Sequence, residues 1–402
     1  MAISDWLTGP PAGQGPTRAT FLELFLDLVY VFAFTQLASR LIGDFTAQRR
    51  VLATEVGQTM LLLVALWLVW VMAARTTSAY DPQHPAVQIS IFAITFGSMV
   101  IAVTLPHAFG PRGLTFAGTY VAVQVGRSAL LWFVLRGSAR LVPARTLCWT
   151  VVTAVPWLIG AAMFPQSPAR GILWTIAIAL DYLGLTFGWP TPWLGRSRLT
   201  DWRLRAEHFA ERLQQFVNIT LGESILVMGT AFAKQFTPSG VAPVVLSFVT
   251  TVLIWRIYFH RAGSVLGTAI ARASRPALLG QSGIHTHFFM IAGIFVTGAG
   301  YELVIDQPFG ELDPAWLWII LGGPALFLVA RSRFEYEVFR RVPWSRIAAW
   351  GVLGALAPLL MRMPPVVATA AATAVLAAVA IWDAIRTRRH PDDLPAPPEM
   401  PA

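Results

Sequence analysis

The sequence predicts an all-α fold, a polytopic transmembrane helix bundle of about 12 spans built as two parallel six-helix repeats. Three observations carry this expectation. Of the 402 residues, 55% are hydrophobic and 13% charged, whereas a soluble domain uses about 25% charged residues to cover its surface. Met60–Ala73, Ser90–Leu105 and Val366–Trp382 carry no charge at all, and such runs recur along the chain at close to the roughly 20 apolar residues that cross a bilayer. Lipid admits helices or closed barrels, and these runs are too long for barrel strands.

Taken in order between Arg, Pro and Gly punctuation, the spans fall at 21–42, 51–73, 86–105, 113–135, 144–163, 170–187, 209–233, 241–262, 284–305, 315–331, 344–361 and 365–386. The fifth and sixth are parted by a short Pro165–Pro168 turn, and the eleventh contains Pro358. A polar connection at 188–208 separates a first half, 1–187, from a second, 209–386, and the Pro- and Asp-rich tail at 387–402 reads as disordered. Six spans per half leave both halves in one orientation, which makes the repeats parallel. Phe25 with Asp27 on the first span matches Phe216 with Asn218 on the seventh; Trp67 with Trp70 matches Trp255 with Tyr258.

The net charge is +9, and Lys234 is the one lysine. Loops on the N-terminal side hold about 20 basic residues and the opposite loops about 7, so the positive-inside rule places both termini in the cytoplasm. The clusters Arg196, Arg198, Arg203, Arg205 and Arg331, Arg333, Arg340, Arg341 dominate that count. These arginines read as topology signals and lipid-headgroup contacts, and the bilayer is the expected partner. No basic stretch is interleaved with aromatics, so nucleic acid is not a partner. Cys148 stands alone, which excludes an intrachain disulfide and a cysteine metal site. Met1–Gly15 lacks the apolar core of a cleavable signal peptide, and the first span is expected to insert by itself.

Ionisable residues inside spans cost a few kcal/mol and usually face a bundle interior. Asp27, Arg127, Asp181 and Arg256 each lie roughly 9–12 Å from the cytoplasmic end of their span at 1.5 Å per residue. Four spans thus place both signs of charge at one level, as a polar layer around a pathway would. Glu23 and Asp27 share a helical face; a helix N-terminus alone would also favour them. Arg127 is the expected partner of Asp27. On the seventh span His208, Glu211, Arg212, Gln215, Asn218, Gly222 and Glu223 recur at three- or four-residue steps, opposite Leu213, Phe216, Val217, Leu221 and Ile225. Such a stripe also suits a helix packed by hydrogen bonds. Glu223 lies roughly 20 Å along the span, near mid-bilayer, which marks it as a proton or cation site; Gly222 beside it allows close backbone approach. Arg256 and His260 share a face and could answer Glu211 or Glu223.

His208 and Glu211 have the i, i+3 spacing of carboxylate-bridged metal bundles. A second such motif is missing, so no metal and no cofactor is expected. No Ser-His-Asp spacing, phosphate-binding glycine loop or redox pair supports an enzyme.

The run from Glu23 to Leu37, including Glu23-Leu24-Phe25-Leu26-Asp27, resembles the opening signature of the bacterial low temperature requirement A (LtrA) family. His208-Phe209-Ala210-Glu211-Arg212 with Leu221-Gly222-Glu223-Ser224 resembles its second signature. Tyr120–Arg127, Ala179-Leu180-Asp181 and His287 are further matches. Trp255-Arg256-Ile257-Tyr258-Phe259-His260 departs from that family's pattern, which ends in an acid. The resemblance implies a multi-pass bacterial plasma-membrane protein linked to growth in the cold, without a settled activity. Arg212 with Phe216 and Asn218, and Phe25 with Asp27, are also similar to the Arg-x-x-x-Phe-Ser-Asp signature of two-repeat, six-plus-six-helix potassium channels. Here the serine is absent and Phe21 stands where the first arginine would fall.

The function expected from all this is a channel or transporter for a cation, proton or small solute, with a homo-oligomer compatible. Glu23, Asp27, Arg127, Asp181, His208, Glu211, Arg212, Asn218, Glu223 and His287 would line the pathway. Two other readings stay open: a non-catalytic membrane scaffold or sensor, and a membrane-embedded lipid-modifying enzyme acting through His208, Glu211 and His287.

Overall fold

The computed structural model describes residues 19–47, 52–165, 167–197, 206–260, 265–274, 276–389 and 395–397. Met1–Gly15, Arg198, Arg203, Arg205 and most of the C-terminal tail lie outside them. Among the described residues the chain forms thirteen α-helices: α1 (Phe21–Ala47), α2 (Leu52–Ala79), α3 (Pro85–Thr104), α4 (Gly113–Val134), α5 (Leu141–Met163), α6 (Pro168–Phe187), α7 (Ala206–Gln235), α8 (Pro238–Tyr258), α9 (Leu266–Arg272), α10 (Pro276–Asp306), α11 (Pro314–Phe339), α12 (Trp344–Leu360) and α13 (Pro365–Arg389). The all-α expectation holds. Ten of these helices are long and apolar enough to cross a membrane. The other two expected spans fall on α4, diluted by Gln124, Arg127 and glycines, and on α12, which has 17 residues. The seven-residue α9 was not expected.

Local chemistry sets the helix starts. His84, Ser167 and Asp313 each accept a backbone N–H two residues on, at Ala86, Ala169 and Ala315, and each precedes a proline at the first helical position. Thr20 and Glu23 form a reciprocal capping box on α1: Thr20 N–H donates to Glu23 Oε2 at 2.8 Å, and Glu23 N–H to Thr20 Oγ1 at 3.4 Å. The tenth span was expected to stop at 331, yet α11 continues to Phe339. Its charges pair along the helix, Arg331 with Glu335 and Arg333 with Glu337, so they support the helix instead of ending it.

The chain divides into two compact units, one holding Met1–Arg40 and Val51–Arg212, the other Leu41–Arg50 and Leu213–Ala402. In the first unit α3 to α6 pack consecutively and α2 packs on α3, α4 and α6. Every residue from 65 to 78 is buried, so α2 is apolar all round because it has neighbours all round. In the second unit α10 to α13 pack consecutively and α8 packs on α10 and α13. There α10 is the enclosed helix. At its crossing with α11, a Cβ on Gly293 would stand 2.5 Å from Phe327 N and one on Gly323 would stand 2.6 Å from Thr297 N. Only glycine lets the two backbones approach that closely.

Several arginines expected at headgroups are instead buried clamps. Arg145 donates to Leu194 O at 2.9 and 2.6 Å and to Ser197 Oγ, pinning the turn after Gly188. Arg170 donates to Ala108 O, Gly110 O, Gly160 O and Ala161 O. Two of these acceptors, Gly160 O and Ala161 O, lie in the last turn of α5, where carbonyls lack an intrahelical partner.

Candidate functional site

In the first unit the start of α7 and the start of α1 bring four buried ionisable side chains together: Glu23, Asp27, His208 and Arg212. Arg212 grips Asp27 with both terminal nitrogens, Nη1 to Oδ2 at 2.6 Å and Nη2 to Oδ1 at 2.8 Å. Trp70 Nε1–H donates to Oδ1 at 2.9 Å. The guanidinium also lies 5.6 Å from the Trp70 ring centre, and that ring stacks on Trp67. Asp27 therefore has three donors, two of them charged, which is the planar fork geometry at which arginine excels. The expected partner, Arg127, is not among them. Its charged neighbours are Asp181 and Arg75.

Glu23 shares the site on different terms. Its Oε2 accepts from Thr20 and meets His208 Nε2 at 3.2 Å, while Oε1 lies 3.5 Å from Arg212 Nε with no hydrogen bond of its own. The other ring nitrogen of His208, Nδ1, is 3.0 Å from Ser78 Oγ. Ser78, His208 and Glu23 thus form a buried chain of hydroxyl, imidazole and carboxyl in hydrogen-bond contact, a sequence of groups that can pass a proton. Which imidazole nitrogen carries the proton follows from the direction of that chain.

The remaining predicted residues fall elsewhere. Asp181 accepts from Tyr120 Oη–H at 3.1 Å. Arg127 is buried and donates to Ser128 Oγ at 3.2 Å. Arg256 is exposed and donates to His260 Nδ1 at 2.7 Å, and His260 turns to α13 at Thr387 Oγ1 and Asp383 O. Within the first unit Asp27 and Arg127 belong to separate groups. Along α7, His208, Arg212 and Glu223 are buried, Glu211 is half-buried and Asn218 is exposed. At 3.6 residues per turn the three buried groups form one edge of the polar stripe, next to the apolar face, and Asn218 lies on the other edge.

In the second unit Glu223 is fully buried, and neither carboxyl oxygen has a hydrogen-bond partner among the described residues. A Cβ on Gly222 would meet nothing within 4 Å, so this glycine marks open space and not the expected close approach. His287 is buried with both nitrogens engaged, Nδ1 with Gly283 O at 2.7 Å and Nε2 with Tyr258 Oη at 2.8 Å. It ties α8 to α10 and has the surroundings of a packing residue.

Sequence reasoning passed over one further charged cluster. Arg331, Glu335, Arg341, Arg346 and Asp383 join α11, α12 and α13 through bridges of 2.6–3.5 Å. The i, i+4 spacing of Arg331 and Glu335 is a readable signal; the Arg346–Asp383 pair has none. Among the described residues no group of three His, Cys, Asp or Glu side chains is placed to hold a metal ion.

Comparison with known proteins agrees with the two helix signatures. An uncharacterized protein of Rhizobium meliloti (strain 1021) is 31% identical over 386 residues, covering 94% of this chain and 92% of that one. No solved structure matches. The profile described as "Bacterial low temperature requirement A protein (LtrA)" matches residues 18–381, so this multi-span helical protein belongs to the LtrA family.

Proposed function

We propose that this protein carries protons or a small cation across the bacterial plasma membrane, and that Glu223 is the group that binds them. One observation carries the reading: a carboxyl buried on a membrane-length helix with no donor for either oxygen among the described residues. A bare carboxylate there would bear its whole desolvation cost, so its charge is cancelled by a proton or a bound cation. The buried Ser78–His208–Glu23 chain supports proton loading near the cytoplasmic side. Arg212 and Asp27 hold that chain in place. Both termini are cytoplasmic in this reading, and the link to growth in the cold is a consequence of transport. The shared packing order, α2 on α3 and α6 and α8 on α10 and α13, supports two parallel repeats.

The test is flux in proteoliposomes under an imposed pH or cation gradient. Wild-type protein should dissipate the gradient and Glu223→Gln should not, while His208→Gln should slow it. Unchanged flux in Glu223→Gln overturns the assignment. A scaffold or sensor is the second reading, favoured by the complete pairing of Asp27; it predicts no flux at all and normal cold growth with Glu223→Gln.

A further inference from the structure

A groove of about 450 Å³ runs between α3 and α4 in the first unit. Its volume falls in the range of small-molecule sites, roughly 300–1,000 Å³. Most of its wall is small and apolar, with Ala93, Gly97, Gly118 and Ala122 on facing helices. The neighbouring Phe92, Phe96 and Met99 are exposed on the outer surface of α3, so the groove opens toward lipid.

Two buried polar groups in the lining, with the half-buried Thr119, interrupt this apolar character. Arg127 is 5% exposed and its Nε–H has no hydrogen-bond partner among the described residues; Ser90 is 2% exposed and its hydroxyl has none either. No carboxylate of the described residues lies within bridging distance of Arg127, and Asp181, its acidic neighbour, is engaged by Tyr120. Because α3 and α4 are consecutive and antiparallel, Ser90 near the start of one and Arg127 near the end of the other lie at the same end of the groove. Each is about 8–10 Å inside its helix terminus at 1.5 Å per residue. A lined apolar slot therefore ends in two buried, unused donors, one of them cationic.

We propose that this groove binds one long-chain fatty acid, with its carboxylate on Arg127 Nε–H and Ser90 Oγ–H and its chain along the glycine-lined wall. A carboxylate supplies the missing acceptors and the missing negative charge in a head small enough to sit below the interface. A phosphate at the helix ends would stand about two turns from Arg127.

The experiment uses the full chain in phosphatidylcholine nanodiscs with radiolabelled palmitate as the probe. About one palmitate should bind per chain, displaced by unlabelled palmitate and not by methyl palmitate. Arg127→Met should weaken binding about tenfold or more, the worth of a charge-assisted hydrogen bond. Gly118→Leu is the companion variant: a Cβ there meets nothing within 4 Å, so the side chain starts in open groove space, and binding should be lost with the melting temperature unchanged. Palmitate binding that survives in folded Gly118→Leu, or survives undiminished in Arg127→Met, overturns the site. Displacement by phosphatidylglycerol as effective as by palmitate overturns the choice of a fatty acid.

Discussion

Asp27 and Glu223 are both carboxyls buried within apolar helices, and their surroundings could hardly differ more. Asp27 takes two bonds from one guanidinium and a third from an indole, so its charge is fully answered. Glu223 has no donor on either oxygen among the described residues, beside a glycine that opens space instead of filling it. A carboxylate locked by an arginine fork is a fastener, because releasing it exposes two buried charges at once. A carboxyl without partners can take up and give back a proton or cation without breaking anything. On the proposed function, two residues of similar chemistry would thus serve architecture and chemistry respectively.

The sharpest way to break this contrast is to remove Arg212. Arg212→Met leaves Asp27 buried and unpaired and takes the cation from beside Glu23, so the loss should be about 3–5 kcal/mol. It would appear as a collapse in the yield of monodisperse protein and a large drop in melting temperature. Asp27→Asn keeps the shape and the Trp70 bond but removes the charge, with an expected cost of about 1.5–3 kcal/mol. If either variant is as stable as wild type, Asp27 is not the fastener described.

How much of this was legible in the sequence depends on the range over which each feature is decided. The twelve span helices were, since uncharged runs and capping prolines are local signals. The end of α11 was misplaced because charge was read as a boundary when Arg331 and Glu335 are paired within the helix. Thr20 and Glu23 spell a capping box in four residues, although the helix N-terminus reading of Glu23 did not extend to Thr20. The Asp27–Arg212 bond joins residues 185 positions apart, and nothing along the chain favours Arg212 over Arg127. Arg145 and Arg170 add to a topology count in the sequence, while their actual work on loop carbonyls exists only once those loops have folded. Glu223 stood out by depth alone; its lack of donors is a tertiary fact.

Glu223 offers the converse test to Asp27. Glu223→Met replaces an unpartnered polar group by an apolar one of similar length, removing a desolvation cost of about 1–3 kcal/mol. Its melting temperature should stay level or rise, while flux is lost. A fall in stability as large as that of Asp27→Asn would mean that Glu223 has a structural partner after all, and the contrast would fail.

The smallest expected effect concerns the end of α8, just past its membrane-length segment. His260 faces Arg256 from its own helix, Arg331 from α11, and Asp383 and Thr387 from α13. Burial holds its pKa below the ordinary value, with the two arginines pushing the same way and Asp383 opposing them. The Arg256 guanidinium donates to Nδ1, which leaves Nε2–H for Thr387; a second proton on Nδ1 would face an N–H. The unfolded chain therefore takes up this proton first as pH falls, and stability is full above about pH 6.5 and declines below it. Melting temperature should accordingly drop between pH 7.5 and 5.5, and His260→Gln should flatten that slope without altering the contrast between Asp27 and Glu223. An unchanged slope in His260→Gln would assign the pH response to another group and leave His260 as a neutral spacer between α8 and α13.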